Sequence, residues 1–289
     1  EWDSRHVPYA VANAEHLAMS DSVGMINLSH FPIMDIKGPD AERMLEYLSV
    51  AKVGDNTPEG KVIYTNFLDE DGGVHADLTI SRLGADSYRV VTGGADGNRD
   101  WVTLRNYRDD NGLNADINIR THDIATLGLW GPDAVNALGN FIDPNKINIE
   151  SFPFVTAKNL TLNLSGGKKV DVWAARISYV GESGWEIYFN NNSEDGLVLY
   201  DSLLEVGVVP VGIETYANSR RLEKSFRLQG ADLETEYTAI EAAIQRPLVK
   251  EADFHGKAAH LSHREEDPCA ILCTMTLDDL NVSGVPRYP

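Results

Sequence analysis

The sequence predicts an α+β fold built from two related lobes. Gly-Pro-Asp-Ala occurs at Gly38–Ala41 and again at Gly131–Ala134, opening a helical pattern each time. ISRLGADSYRVV, from Ile80, matches ISYVGESGWEIY, from Ile177. Each half reads in the same order: strand, helix, strand, strand, helix.

In the first half the apolar stretch FPIMDIK leads into Gly38. Ala41, Leu45 and Leu48 then recur on one helical face. Proline with aspartate beside it suits a helix N-terminal turn. Val74, Ala76, Leu78 and Ile80 alternate with His75, Asp77 and Thr79, which predicts a strand with one apolar and one polar face. Gly84 reads as a turn between strands, and DWVTLRNY as the closing helix. TGGADGNRD, from Thr92, lacks both the Gly-Lys-Ser/Thr ending and the G-x-G-x-x-G order of phosphate loops, so it reads as a strand-to-helix turn.

In the second half ATLGLW leads into Gly131, and Ala134, Leu138 and Phe141 share a face. Gly181 is the matching turn. GLVLYDSLLEVG reads as a helix stopped by Gly207. A helical segment is expected from about Gly212 to Phe226, then a loop, QGADLETEYT. From about Cys269 the pattern turns to β. The domain bounds read 1–115 for the first lobe, 116–262 for the second with its following helix and loop, and 263–289 for the start of an incomplete β domain. Both ends read as cut from something longer. Paired lobes leave a cleft between them, a common place for a ligand.

The chain has 289 residues, 43% of them hydrophobic, a formal net charge of −19 and a pI near 4.7. That charge argues against nucleic acid, which needs clustered Lys and Arg, and against anionic membranes. No apolar run approaches a membrane span, and no signal peptide opens the chain. Cys269 and Cys273, with His260 and His263 upstream, lack zinc-site pair spacing and read as ordinary thiols in or near a strand. No metal is expected. Two cysteines fit a reducing compartment: the cytoplasm or, in a eukaryote, the mitochondrial matrix. No G-x-S-x-G elbow offers a serine nucleophile.

Few residues suggest chemistry unaided. Asp77 is either a solvated strand residue or a carboxylate facing the cleft. Glu182 sits in the Tyr179-Val180-Gly181-Glu182 turn. It is either solvated or set to accept two hydrogen bonds from an N–C–N edge. Trp185 reads as packing. Arg220 and Arg221 are adjacent, so one is expected at the surface and one inward; an inward arginine needs a carboxylate, with Glu223, Glu241 or a ligand as candidates.

Together these segments resemble the folate-binding glycine-cleavage T-protein family, and look closest to the folate module of sarcosine and dimethylglycine dehydrogenases. The matching segments run in family order. Glu15-His16, Gly24 and Ser29-His30 come first, followed by KGPDAERMLEYL. Tyr64-Thr65 through Gly72-Gly73-Val74-His75-Ala76-Asp77 is next, then LGLWGPDA, YVGESGWEIY and SRRLEKSFRLQGADLETEYTAIEAAI. Asp253-Phe254-His255-Gly256-Lys257 closes the series. The likeness covers roughly residues 10–260. Departures include Asn27 for an Asp, Ser20 for an Arg, and a Pro and a Gly lost around Glu241. Residues 254–257 carry no Cys of the kind that marks the family's iron–sulfur branch.

The resemblance implies three lobes around a central folate channel, with the last, a β-barrel, mostly absent from this stretch. It implies Asp77 as the catalytic carboxylate, with Tyr64, Tyr179, Glu182, Arg221 and Glu241 binding tetrahydrofolate. FAD would enter only through a domain outside the chain. The implied activity is folate-dependent methyl or methylene transfer in demethylation of an N-methylated amino acid or related small-molecule donor. The alternatives are a glycine-cleavage aminomethyltransferase and a non-catalytic folate-binding regulator.

Overall fold

The computed structural model describes residues 7–54, 57–244, 246 and 248–276. In chain order the elements are α1 (Val7–Asp21), β1 (Gly24–Asn27), β2 (Ile33–Lys37), α2 (Ala41–Leu48), β3 (Val62–Leu68), β4 (Val74–Gly84), β5 (Ser87–Thr92), α3 (Gly97–Asp110) and β6 (Asp116–Ile119). They continue as β7 (Ile124–Trp130), α4 (Ala134–Leu138), β8 (Ala157–Asn163), β9 (Lys169–Ala175), β10 (Gly184–Asn190), α5 (Ser193–Glu205) and β11 (Val209–Pro210). A π-helical turn (Thr215–Arg220) leads into α6 (Arg221–Glu223), and α7 (Lys257–Glu265) follows.

The strands form two sheets, so the fold is mixed α+β. One runs β3-β4-β5-β2-β6; the other, read from its far edge, runs β8-β9-β10-β7-β1-β11. β6 lies antiparallel to β2, and β1 antiparallel to β7. The first strand of the first half thus joins the sheet of the second half, between β7 and β11.

Each sheet carries its helices on one face. Met34, Leu78 and Ile80 pack with Ala41, Leu45 and Leu104 in one core. Leu127, Trp185 and Ile187 pack with Ala134, Leu138 and Leu199 in the other. The helical faces expected from sequence are the buried ones, and Trp185, fully buried, is packing as expected. A further cluster joins the two sheets: Ile33 and Val62 from one meet Ala175 and Tyr188 from the other. Polar residues opposite the helix-bearing faces therefore point into the space between the sheets. The segment after α6 packs Leu233, Ala239 and Phe254 onto Leu68 and Val74.

Three details differ from the sequence reading. Strand β9 ends at Ala175, so Ile177–Tyr179 belong to a loop rather than a strand. The helical run expected to reach Phe226 stops earlier, at Glu223, and Ser225 in the turn that follows has a φ of +57°. Residues 269–276 form no strand, and both cysteines are exposed. The remainder of the expected β segment, 277–289, lies outside the described residues. Gly207, with φ +89°, does follow the end of α5.

Candidate functional site

Strand alternation places Asp77. Val74, Ala76, Leu78 and Ile80 are buried beneath helices and the C-terminal segment, so Asp77 points the other way. Asn66 stands directly opposite it on β3, and Tyr64 is the diagonal neighbour on the same face. The Asn66 amide donates to Asp77 Oδ1 at 2.8 Å. Burial pushes the Asp77 carboxyl up to about 6. Hydrogen bonding from Tyr64 and Asn66 pulls it back, while Asp96 and Asp100 push it up further. Burial, and then the Asp77 charge, hold the Tyr64 phenol well above its ordinary value. Tyr179 completes this group: its phenol, raised mainly by burial, feels Arg221, Asp77 and Asp232. Its hydroxyl donates to the Arg227 carbonyl at 2.6 Å, and its ring stacks on Phe226 with centroids 6.0 Å apart.

The two arginines differ from expectation. Both are buried, at 3% and 5% exposure, because the π-helical turn carries them into α6 against packed protein on both sides. Neither Glu223 nor Glu241 is the partner. Arg220 pairs with Glu182, and Arg221 with Asp232. Arg221 also donates to the Ala217 carbonyl at 2.7 Å. Glu241 accepts from the backbone amide and hydroxyl of Thr238, at 2.9 and 3.0 Å, in a local turn. So Asp77, Tyr64, Tyr179 and Arg221 come together, Glu182 joins through the neighbouring Arg220, and Glu241 is held locally.

Glu182 also belongs to a relay. Arg220 Nη1 lies 3.1 Å from His16 Nε2, and His16 Nδ1 lies 2.9 Å from Ser219 Oγ. A guanidinium can only donate, so His16 Nε2 accepts and the ring is neutral. Burial first, and the Arg220 charge second, lower its pKa.

The residue that sequence reasoning missed is Glu186. On β10, Trp185, Ile187 and Phe189 face the helix-bearing core, so Glu186 and Tyr188 face the space between sheets. Burial lifts the Glu186 carboxyl to about 7. It accepts a hydrogen bond from the Tyr188 hydroxyl and has no cationic partner among the described residues. Tyr216 is close enough to feel the charges of both Glu186 and Tyr179, which connects Glu186 to the Asp77 group. The signal was present in the Trp-x-Ile-x-Phe alternation.

An open concavity of about 780 Å³ lies at the far end of β10, lined by residues that include Arg89, Asp123, Asp171, Trp173 and Tyr188. It contains none of the six expected residues. Arg89 already sits over the Trp173 ring, 4.9 Å from its centroid, and is paired with Asp35. The cation seat is filled, and the Asp77 group remains the better chemical site. Among the described residues no group of His, Cys, Asp and Glu could hold a metal ion, and no helix is long and apolar enough to cross a membrane.

The model of the GCVT N-terminal domain matches residues 4–251. Among solved structures, the glycine cleavage system aminomethyltransferase T from Bartonella henselae superposes with a TM-score of 0.75 at 23% identity, covering 89% of this chain and 67% of that one. That likeness is one of fold. The heterotetrameric sarcosine oxidase from Corynebacterium sp. U-96, in complex with pyrrole 2-carboxylate, matches at a TM-score of 0.45 and 18% identity, covering 73% of this chain and 100% of that one. A superposition that loose carries no argument.

Proposed function

Because the chain belongs to the GCVT N-terminal domain family, the folate-binding T-protein family of aminomethyltransferases, we propose that it is a tetrahydrofolate-dependent one-carbon transferase whose donor is an N-methylated amino acid or its iminium. The observation that carries this is the Asp77 carboxylate, recessed between two sheets and flanked by Tyr64, Asn66 and Tyr179. The donor class rests on the motif resemblance to demethylating dehydrogenases.

The residues present fit a reduced pterin. Tyr64 and Tyr179 offer aromatic walls, and a buried carboxylate without a cation is available for the pterin N–C–N edge. Glu182 was expected there, but Arg220 occupies it. Glu186 is the better candidate, since its recorded partner is a phenol. Arg221, committed to Asp232, holds the loop that carries Phe226 and Arg227. Glu241 would act only through its own turn.

Tetrahydrofolate, when bound, supplies the nucleophilic nitrogen that accepts the one-carbon unit. Asp77, ionised above about pH 6, faces the positive charge on the donor nitrogen and can take up the proton released by the attacking nitrogen. Asn66 holds the carboxylate in place. Positioning supplies the rest.

The two lobes read as a duplication. Strand order is the same from β3 to β6 as from β8 to β1. Gly38 and Gly131 share φ values of +147° and +146°. The Asp40 amide donates to the Asn114 carbonyl just ahead of β6, as Asp133 does to Ser22 just ahead of β1. Each repeat therefore lends its first strand to the other's sheet. A third, β lobe starting within residues 263–289 belongs to the same proposal.

The test is calorimetric titration with tetrahydrofolate, followed by a donor screen that detects one-carbon folate products by mass spectrometry. Micromolar binding and transfer from at least one N-methylated amino acid are expected. Binding without transfer from any methylated or aminomethylated donor would leave a folate-binding protein and remove the transferase.

A further inference from the structure

Arg246 is a cation of this site that meets no carboxylate among the described residues. Its Nη2 donates to the Tyr64 carbonyl, and its charge interacts with the Tyr64 phenol, the same phenol that faces Asp77. The side chain is half-buried. Arg176 spreads its guanidinium over the carbonyls of Ile147 and Phe152 and the Ser183 hydroxyl, while Arg89 has Asp35, Arg99 has Asp96, Arg220 has Glu182 and Arg221 has Asp232. Arg227 instead spends its guanidinium on the carbonyls of Ala242 and Ser225. Arg246 makes one side-chain hydrogen bond and meets no Asp or Glu among the described residues. A guanidinium carries five donors in a fork that matches a carboxylate. Leaving it half-buried without an anion is costly, the more notably in a chain of net charge −19.

We propose that Arg246 receives a carboxylate of the ligand that binds against Tyr64 and Asp77, making the site selective for carboxylate-bearing ligands. Asp77 takes the cationic or amine end of that ligand, and Arg246 the anionic end. Burial lowers the Arg246 pKa, which matches a cation awaiting an anion. The proposal rests on the transferase reading above. The carboxylate can come from the folate's glutamate or from the donor amino acid.

The experiment titrates the wild-type chain, Arg246→Met and Arg246→Lys with tetrahydrofolate and with 6-methyltetrahydropterin, which has no carboxylate. It then titrates the tetrahydrofolate-loaded proteins with sarcosine and with dimethylamine. If the folate supplies the carboxylate, Arg246→Met loses about tenfold to a hundredfold in tetrahydrofolate affinity and none for the pterin. If the donor supplies it, the loss appears for sarcosine and not for dimethylamine. Arg246→Lys should recover part of either loss, since it keeps the charge without the fork. Equal losses for ligands with and without carboxylates would show that Arg246 only supports Tyr64, and would overturn the proposal, as would no loss at all. Failure of the wild type to bind tetrahydrofolate would instead remove the underlying reading.

Discussion

Asn66 and Asp77 face each other across the β3–β4 ladder, with the Asn66 amide donating to the Asp77 carboxylate at 2.8 Å. The register of one strand pair thus orients the carboxylate assigned to the chemistry. It also keeps Asp77 Oδ1 engaged, while the Tyr64 phenol is a second donor to the same carboxylate.

Asp77→Asn should leave tetrahydrofolate affinity nearly unchanged and slow transfer by about 10²–10³-fold. The amide keeps the size but can neither face a cation as a charge nor take a proton. Single-turnover product formation at saturating tetrahydrofolate is the measurement. A variant retaining half the wild-type rate would make Asp77 a bystander. In the wild type the same rate should fall as pH drops through about 6, where the carboxylate protonates, and the variant's residual rate should lack that step.

The raised carboxyl also has a stability consequence. The folded chain holds the Asp77 proton more tightly than the unfolded chain does. Its stabilising effect is therefore complete below the ordinary carboxyl pKa and is lost as pH rises through about 6. Asp77→Asn should melt higher than wild type at pH 8, with the gap closing near pH 4. Glu186→Gln should behave alike, with its loss centred near pH 7. A thermal melt series across pH that shows no such gap would mean these carboxyls are solvated.

Glu186 and Glu182 are separable by substitution. Glu186→Gln should lower tetrahydrofolate affinity by about tenfold to a hundredfold while sparing the fold, because one buried acceptor pair is weakened. Glu182→Gln should act chiefly on stability, by about 1–3 kcal/mol, because it strips the charge from the partner of buried Arg220. If calorimetry shows the affinity loss in Glu182→Gln instead, the pterin edge lies at the turn and not on β10.

The duplication predicts matched steric limits. A Cβ on Gly131 would sit 2.2 Å from the Ser22 carbonyl oxygen, and one on Gly38 would sit 2.5 Å from that of Asn114. Both contacts are with backbone, which cannot swing away. Gly166 also has positive φ, but open space around it. Gly166→Ala should cost about 1–2 kcal/mol, and Gly38→Ala and Gly131→Ala distinctly more, in denaturant unfolding. Equal costs at all three would show that conformation alone matters there.

Local pattern made much of this legible. Alternation set the face of Asp77, and helical spacing picked the buried faces of α2 and α4. Asp77 is named by strand face and motif together, whereas Tyr64 and Tyr179 are named by the motif resemblance alone. The arginine partners were not legible, since Arg220 meets a carboxylate 38 positions away and a π-helical turn buries both neighbours. Glu186 escaped because the Glu182 turn drew the reading, although the alternation around Glu186 was visible. The exchange of β1 and β6 between sheets is a matter of pairing, which no local period encodes.

His16 offers the last prediction. Its Nε2 accepts from Arg220 and its Nδ1 meets Ser219, so a proton on Nε2 would confront a guanidinium. The charged groups around it are Arg220, Glu223, Asp21 and Glu182, and burial together with Arg220 outweighs the three acids. The folded chain consequently binds this proton less tightly than the unfolded chain. As pH falls, the unfolded state takes the proton first, so the His16 contribution is present above the ordinary histidine pKa and is lost as pH falls below it, through the lowered folded value. Protonation would also turn Arg220 away from the α1 side and loosen its hold on Glu182. His16→Gln keeps an acceptor for Arg220 and cannot protonate. Its unfolding free energy should therefore decline less between pH 7.5 and about 5 than that of wild type, and hydrogen exchange of the Val180–Ser183 amides should lose its acid dependence. Parallel stability curves for the two proteins across that range would show that His16 carries no pH-dependent contact with Arg220.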